Sequence, residues 1–400
     1  MKEILSAFNP WWEGPYESET VDRGEYVDKL LGQIKERDVV FITGTRRVGK
    51  TVIMHQTIER LLKAIKRTDI LYVSLDHPAF IPISILDIVR EHRKLHGLGR
   101  RRKLFLFLDE VHLKEGFERD LKVLYDMEKV KIFASGSSSL LLKHRGAFLT
   151  GRYTILNVRP LDFREFMQFR KVNIKPSEKY LYESELEEYM RMGGMPEYVL
   201  RKRNPQYLLE LTEGIIAKDI VTRYGVKNPE LLRKLLLLLA ERVGKRMTFN
   251  KLSKVLGLTP DTVKQYVDYL EETYLVRTVS KHARSLNERV YSPKKVYMTD
   301  VGIKTVLTGF KDKGALAENL VFLKLDREGE VFYHQEGSKE IDFICGRTAV
   351  EVKYKDNLDE HEARTLANSR FRKKILITKA PITFKGVDNV TLVDYLLGNY

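Results

Sequence analysis

The chain has 400 residues, 43% of them hydrophobic, a single cysteine (Cys345) and a formal net charge of +15. That length suits roughly two to four domains, and the apolar content is enough for several cores, which argues against disorder. One cysteine excludes an internal disulfide framework and any CxxC zinc site, and the longest aliphatic run, Leu235 to Leu239, is far short of the roughly 18 apolar residues of a membrane span.

The opening segment MKEILSAFNPWWEG has no apolar run that would serve as a signal peptide, so a soluble cytoplasmic protein with no membrane partner is expected. Val39 to Thr43 is an apolar, β-branched run suited to a buried parallel strand. It leads into Gly44-Thr45-Arg46-Arg47-Val48-Gly49-Lys50-Thr51, which fits the P-loop spacing, and a helical pattern follows at once. The chemistry needs that order. Glycines let backbone N–H groups wrap phosphates, and the helix N-terminus adds positive potential. Lys50 is expected to reach the β- and γ-phosphates of ATP, and the Thr51 hydroxyl to ligate Mg²⁺.

Ile70 to Asp76 reads as a second strand. Arg90 to Lys103 then holds seven Lys/Arg against one acid, either a solvated stretch or a polyanion surface. Leu104 to Leu108 is another buried-strand run ending in Asp109-Glu110. Acids at such a strand end face the crevice where nucleotides bind in open α/β sheets. Asp109 is therefore assigned to the Mg²⁺ shell, and Glu110 to polarising the attacking water. Lys131 to Ser138 and Tyr153 to Val158 complete the predicted sheet. The run Ser135-Gly136-Ser137 closes one of these strands beside the presumed phosphate, and a hydroxyl there, Ser137 in particular, is a candidate γ-phosphate sensor, a functionless turn being equally compatible. Arg152 is open between a phosphate-sensing arginine and a surface charge.

These residues, in this order, resemble the AAA+ ATPase fold. More narrowly, FITGTRRVGKT, FLDEVH, FASGSSSLL, GRY, PLDFREF and GGMPEYV resemble archaeal and bacterial AAA+-like ATPases that carry a winged helix and a nuclease-like domain in their C-terminal half. The resemblance spans nearly the whole chain. It implies that Leu161 to about Leu239, which reads as mostly helical, is a helical lid, and that Gly193, Gly194 and Pro196 lie near the nucleotide base. Asp219, Ile220 and Arg223 fall where a neighbouring subunit would meet it, so a homo-oligomer is an open expectation.

Met247 to Val276 has helix-turn-helix spacing. Leu252, Val255 and Leu256 form one apolar face, Gly257 punctuates the turn, and Thr259-Pro260 is a good cap and first-turn pair. Val263, Val267 and Leu270 bury the second helix, leaving Asp261, Lys264, Gln265 and Asp268 outward. A basic wing follows, with Arg277, Lys281, Arg284 and Arg289 placed to meet DNA phosphates; the acids on the second helix oppose that reading.

The last hundred residues give an α-β-β-β-α-β order. In EIDFICGRTAVEVKY, a two-residue Gly346-Arg347 turn of type II′ sets Cys345 opposite Thr348, Asp342 opposite Glu351 and Glu340 opposite Lys353. Strict alternation then puts these four charged residues on one face and Ile341, Phe343, Cys345, Val350 and Val352 on the other. Opposed carboxylates repel, and a hard divalent cation between them would reverse that; a hydrated polar face is the competing reading. The spacing resembles the PD-(D/E)xK nuclease fold. That resemblance implies Asp342 and Glu351 as metal ligands, Lys353 as the catalytic lysine and Glu318 as the helical acid, although Ile341 stands where the family has proline.

The expected architecture is α/β: an AAA+ P-loop core over 1–160, a helical lid over 161–240, a winged helix over 241–300 and a PD-(D/E)xK nuclease-like domain over 301–400. The expected function is ATP hydrolysis coupled to a DNA-associated C-terminal half with Mg²⁺-dependent cleavage left open. The alternative is a nucleotide-controlled switch or scaffold whose tail only binds.

Overall fold

The computed structural model describes residues 1–136, 151–201 and 204–400. The chain divides into two compact units, Met1–Arg159 and Pro160–Tyr400. Ser137 lies outside the described residues.

The first unit is built on a five-stranded parallel sheet in the order β2-β3-β4-β1-β5. The strands are β1 (Val39–Thr43), β2 (Ile70–Ser74), β3 (Leu104–Asp109), β4 (Val130–Ser135) and β5 (Tyr153–Asn157). The period-2 geometry of a strand sends Val39 and Phe41 into one core and Val40 and Ile42 into the other. Both faces of β1 are thereby covered, which is why its sequence is a continuous apolar run. The helix Lys50–Leu62 seals one face with Ile53, Met54, Ile58 and Leu61, each burial worth about 1.5–3 kcal/mol. The C-terminal ends of β1, β3 and β4 therefore open on a common edge.

The basic segment Arg90 to Lys103 is not a free polyanion face. Arg93 is buried and ion-pairs with Glu128 at 2.8 Å. Arg102 pairs with Asp69, Arg90 with Asp87 at 2.9 Å, and Lys103 donates to the Ile34 carbonyl at 3.0 Å. These bonds consume much of the charge that the sequence displays.

The second unit begins with the helices Phe163–Phe169, Leu181–Met192, Pro196–Arg201 and Gln206–Gly214, the last running into a π-helical stretch, Ile215–Val221. Gly193 and Gly194 form a turn that only glycine fits. A Cβ on Gly193 would lie 2.3 Å from Asp300 Oδ1, and one on Gly194 would lie 2.2 Å from the Leu161 carbonyl. Asp300 is fully buried and accepts N–H bonds from Gly194 at 2.6 Å and Ile303 at 3.0 Å. Local packing thus accounts for both glycines.

The helices Phe249–Leu256 and Pro260–Glu272 follow. Thr259 caps the second by accepting the Thr262 N–H at 3.2 Å, with Pro260 in the first turn. Val263, Val267 and Leu270 are buried, and Asp261, Lys264, Gln265 and Asp268 are exposed, as the periodicity predicts. Val255 departs from the expected apolar face: it is 65% exposed, because Leu252 and Leu256 alone supply the inward contact of that short helix.

An eight-stranded mixed sheet completes the unit, in the order β13-β12-β11-β10-β9-β7-β8-β6. Its strands are β6 (Arg246–Met247), β7 (Val276–Lys281), β8 (Lys294–Met298), β9 (Val331–Glu336), β10 (Lys339–Cys345), β11 (Thr348–Lys353), β12 (Lys373–Thr378) and β13 (Asp388–Thr391). The strands expected as a separate wing are joined to the C-terminal strands through the parallel pair β7–β9, where Ser280 faces Phe332 and Lys281 faces Tyr333. The wing's cations are largely engaged. Arg277 pairs with Asp326 at 3.4 Å, Lys281 with Glu288 at 2.7 Å, and the Arg289 guanidinium lies 4.7 Å from the Phe332 ring centre. Arg284 is exposed.

Candidate functional site

The P-loop shape follows from its backbone. Gly44 has φ +145° and Gly49 φ +97°, and Arg47 between them sits at φ +63°. A Cβ on Gly44 would come within 2.2 Å of the Val158 carbonyl, so the loop can pass under β5 only with glycine there. Thr45 and Val48 are buried, and Gly49 caps the helix that starts at Lys50. The Lys50 ammonium is held inside the loop by the Gly44 and Thr45 carbonyls, both at 3.1 Å.

The end of β3 meets this loop. Thr51 Oγ1 donates to Asp109 Oδ2 at 2.6 Å, and the Tyr72 hydroxyl donates to the same oxygen at 3.0 Å. Ser135 Oγ, at the end of β4, donates to Asp109 Oδ1. The adjacent carboxylate, Glu110, sits on a left-handed residue with φ +52°, a conformation that costs a non-glycine residue of order 1–3 kcal/mol. Two contacts hold it there: its N–H donates to Ser135 Oγ at 3.0 Å, and its carboxylate lies 3.2 Å from His112 Nδ1. Burial pushes the Glu110 carboxyl above the ordinary range and the Asp109 charge adds to this, while Lys50 and Arg46 pull it back.

Sequence reasoning missed two of these positioning groups. Tyr72 was visible only as a strand residue, whereas the run Ser135-Gly136-Ser137 had marked this strand end for a hydroxyl near the phosphate. Arg23 is 2% exposed and donates to the Val48 carbonyl at 2.9 Å and the Arg159 carbonyl at 3.0 Å, clamping the P-loop to the chain beyond β5. Removing a charged hydrogen-bond partner of this kind costs about 1.5–3 kcal/mol. Arg23→Met is accordingly expected to weaken ATP binding about tenfold or more, read by titration with a fluorescent ATP analogue; unchanged affinity would show that the clamp is dispensable.

Arg152 requires a correction. β5 runs parallel to β1 with Tyr153 opposite Val39, so Arg152 stands at the N-terminal edge of the sheet. The P-loop is at the other edge, about 15 Å away at 3.3 Å per residue. Arg152 pairs instead with Asp126 at 2.9 Å and covers the Tyr125 ring. It does not touch a phosphate held by its own chain.

The C-terminal hairpin brings Asp342, Glu351 and Lys353 together. Cys345 faces Thr348 and Phe343 faces Val350, and Gly346 has φ +57° while Arg347 is not left-handed, as a type II′ turn requires. The ladder stops at the acids. The Asp342 N–H donates to Glu351 Oε2 at 3.2 Å, and the Val352 N–H donates to Asp342 Oδ2 at 3.0 Å. Strict alternation fails here, because the β9–β10 register shifts between Ile341 and Ile344. Ile341 therefore packs with Ile344 and Ala349, whereas Phe343 packs at a tilt against Tyr297 and Phe322. The single apolar face expected for Ile341, Phe343, Cys345, Val350 and Val352 does not exist.

At the centre of the acids lies Lys295, 1% exposed on β8. Its ammonium is 2.8 Å from Glu340 Oε1, 3.0 Å from Asp342 Oδ1 and 3.2 Å from Glu318 Oε1. Tyr297 donates to Glu318 Oε1 at 2.6 Å, Arg246 pairs with Glu340 at 3.0 Å, and Lys353 pairs with Glu351. Burial drives both Glu318 and Glu351 well above the carboxylate range, and the neighbouring Asp342 charge drives them further. Burial alone would lower Lys295, but the carboxylates of Asp342, Glu318 and Glu340 outweigh it and hold the ammonium well above its ordinary range.

Comparison with known proteins fits the geometry of the first site. Residues 36–167 match the family model of an AAA domain. This segment is similar to AAA domains. Residues 183–314 match a domain of unknown function. An uncharacterised protein of Haemophilus influenzae is 27% identical over 398 residues, covering 94% of this chain and 98% of its own. One of Methanocaldococcus jannaschii is 27% identical over 379 residues, covering 88% and 84%. Among solved structures, a Walker-type ATPase of Pyrococcus abyssi shares 14% identity at a TM-score of 0.48, covering 73% of this chain and 97% of that one. Among the described residues, no helix is long and apolar enough to cross a membrane. Within the matched segment, the Thr51 hydroxyl and Asp109 carboxylate are adjacent and both oxygen donors, a set that suits Mg²⁺.

Proposed function

We propose that the chain binds and hydrolyses ATP through its AAA domain and uses its second unit to engage DNA. The observation that carries the first part is the convergence of Lys50, Thr51, Asp109 and Glu110 on one edge of the parallel sheet. Lys50 would leave the loop carbonyls for the β- and γ-phosphates. Thr51 and Asp109 would hold Mg²⁺, which neutralises phosphate charge when bound. Glu110, ionised, would orient and polarise a water against the terminal phosphate. The site itself supplies positioning and electrostatics.

For the second unit, the helix pair Phe249–Leu256 and Pro260–Glu272 with β7 and β8 supports a winged-helix reading. Lys251, Lys254 and Lys264 are exposed on those helices, and the net charge of +15 favours a polyanion. The exposed ion pairs of the wing are each worth under about 1 kcal/mol, so phosphates can displace them. The Asp342–Glu351–Lys353 hairpin with Glu318 supports a nuclease-like fold for the C-terminal strands. The buried Lys295 ammonium favours a tail that binds without cutting.

The test is phosphate release and duplex binding on the same preparation. Turnover abolished by Lys50→Ala, and DNA affinity that falls linearly with the logarithm of salt and drops further in Lys251→Glu/Lys254→Glu, are expected. Absence of turnover would refute the ATPase reading; salt-insensitive or absent duplex binding would refute the DNA reading.

A further inference from the structure

The nuclease-like arrangement implies a divalent cation between Asp342 and Glu351, and the residues present do not fit one. Mg²⁺ takes about six oxygen ligands at 2.0–2.1 Å and retains several waters. Here the carboxylates are already engaged by N–H donors. All three N–H donors of the Lys295 ammonium have a carboxylate within 3.2 Å: Glu340, Asp342 and Glu318. The second Asp342 oxygen accepts the Val352 N–H, and Glu351 accepts from Lys353 and the Asp342 N–H. Gly244 closes over Glu318, for a Cβ there would lie 2.7 Å from Glu318 Oε2. Among the described residues, no three acidic, histidine or cysteine side chains form a set able to hold a metal.

We infer that the Lys295 ammonium is a built-in counter-cation that takes the place of the divalent ion, making the acid cluster a metal-free ionic lock between β8, β10, β11 and the helix Lys313–Glu328. This deepens the binding-only reading of the tail, but it stands on the local geometry whether or not the unit engages DNA. Lys295 reaches the cluster from β8, outside the C-terminal segment that carries the acids. The cation is thus supplied by a strand that sequence spacing assigns to a different module. A charge of +1 replaces one of +2, and the ammonium occupies the point on which Glu318, Glu340 and Asp342 converge. Removing the ammonium should open the space to a cation: Lys295→Met keeps much of the side-chain volume and leaves Glu318, Glu340 and Asp342 converging where Lys295 stood, with Glu351 beside them.

Iron-directed backbone scission tests this with positional resolution. The full chain is incubated with Fe²⁺, ascorbate and peroxide, and the fragments are sized. In the wild type, scission is expected around Thr51 and Asp109 when ATP is present and at background level around Asp342 and Glu351. Lys295→Met is expected to gain at least tenfold more scission around Asp342 and Glu351, lost again in Lys295→Met/Asp342→Asn. Scission around Asp342 in the wild type that Asp342→Asn removes would overturn the inference, and that arm decides even if Lys295→Met does not fold. A folded Lys295→Met without new scission would also overturn it. The ATP-dependent fragments report the AAA domain separately, so failure of one reading is not mistaken for failure of the other.

Discussion

Glu110→Gln is expected to bind ATP as tightly as the wild type and to hydrolyse it about 10²–10⁴-fold more slowly, the range for loss of a positioned general base. The structure gives the reason. Glu110 is isosteric with glutamine, so its left-handed backbone, its N–H bond to Ser135 and the Thr51–Asp109 contact survive the change. What disappears is the charge that polarises water. Burial raises the Glu110 carboxyl, so its ionised form is lost on acidification at a higher pH than for an ordinary glutamate. Wild-type turnover should therefore fall along an acid limb set above the normal carboxylate range, and the residual turnover of Glu110→Gln should lack that limb. A phosphate-release profile across pH checks both points. Turnover in the variant within about threefold of wild type would sink the assignment.

Lys295→Ala is expected to destabilise the second unit by about 3–5 kcal/mol, the usual cost of removing one partner from a buried ion cluster. The pH dependence has a definite sign. Glu318 and Glu351 are raised to about 7 and about 8, so the folded state binds their protons more tightly than the unfolded chain does. Each carboxylate costs stability once ionised, and that cost is relieved as pH falls through the raised value. Without the ammonium, which holds Glu318 down in the wild type, the carboxyls are pushed higher still, and the repulsion among Glu318, Glu340, Asp342 and Glu351 is greatest on the alkaline side. It shrinks on acidification, as protons replace the lost charge. Denaturant unfolding of wild type and variant at pH 6 and pH 9 should show a larger difference at pH 9. A pH-independent difference, or one below about 1 kcal/mol, would show that the cluster does not depend on Lys295.

The parts of this account that were legible in the sequence are those set by short-range geometry. β1, the P-loop glycines and the strand ending at Asp109 follow from apolar runs and turn chemistry within a few residues. The hairpin register next to the turn, Cys345 opposite Thr348 and Phe343 opposite Val350, followed from a single two-residue turn, but the ladder does not extend to the expected pairs Asp342–Glu351 and Glu340–Lys353. The rest depends on which strands become neighbours. Lys295 looks like one more cation in a basic stretch until β8 is laid in the same sheet as β10. Arg23 lies in an undistinguished N-terminal segment, and only the fold brings it beneath Val48. The bulge between Ile341 and Ile344 is invisible to a period-2 argument. Arg152 is different, because the signal was present: a residue that precedes a parallel strand stands at the sheet edge opposite the P-loop.

Whether nucleotide is held by the loop around Lys50 and by Thr51 and Asp109 is read by calorimetric titration of the full chain with ATP, with and without Mg²⁺. One saturable nucleotide site per chain, strengthened by Mg²⁺ and lost in Lys50→Ala, is expected. ATP binding that persists unchanged in Lys50→Ala, or that ignores Mg²⁺, would contradict that assignment.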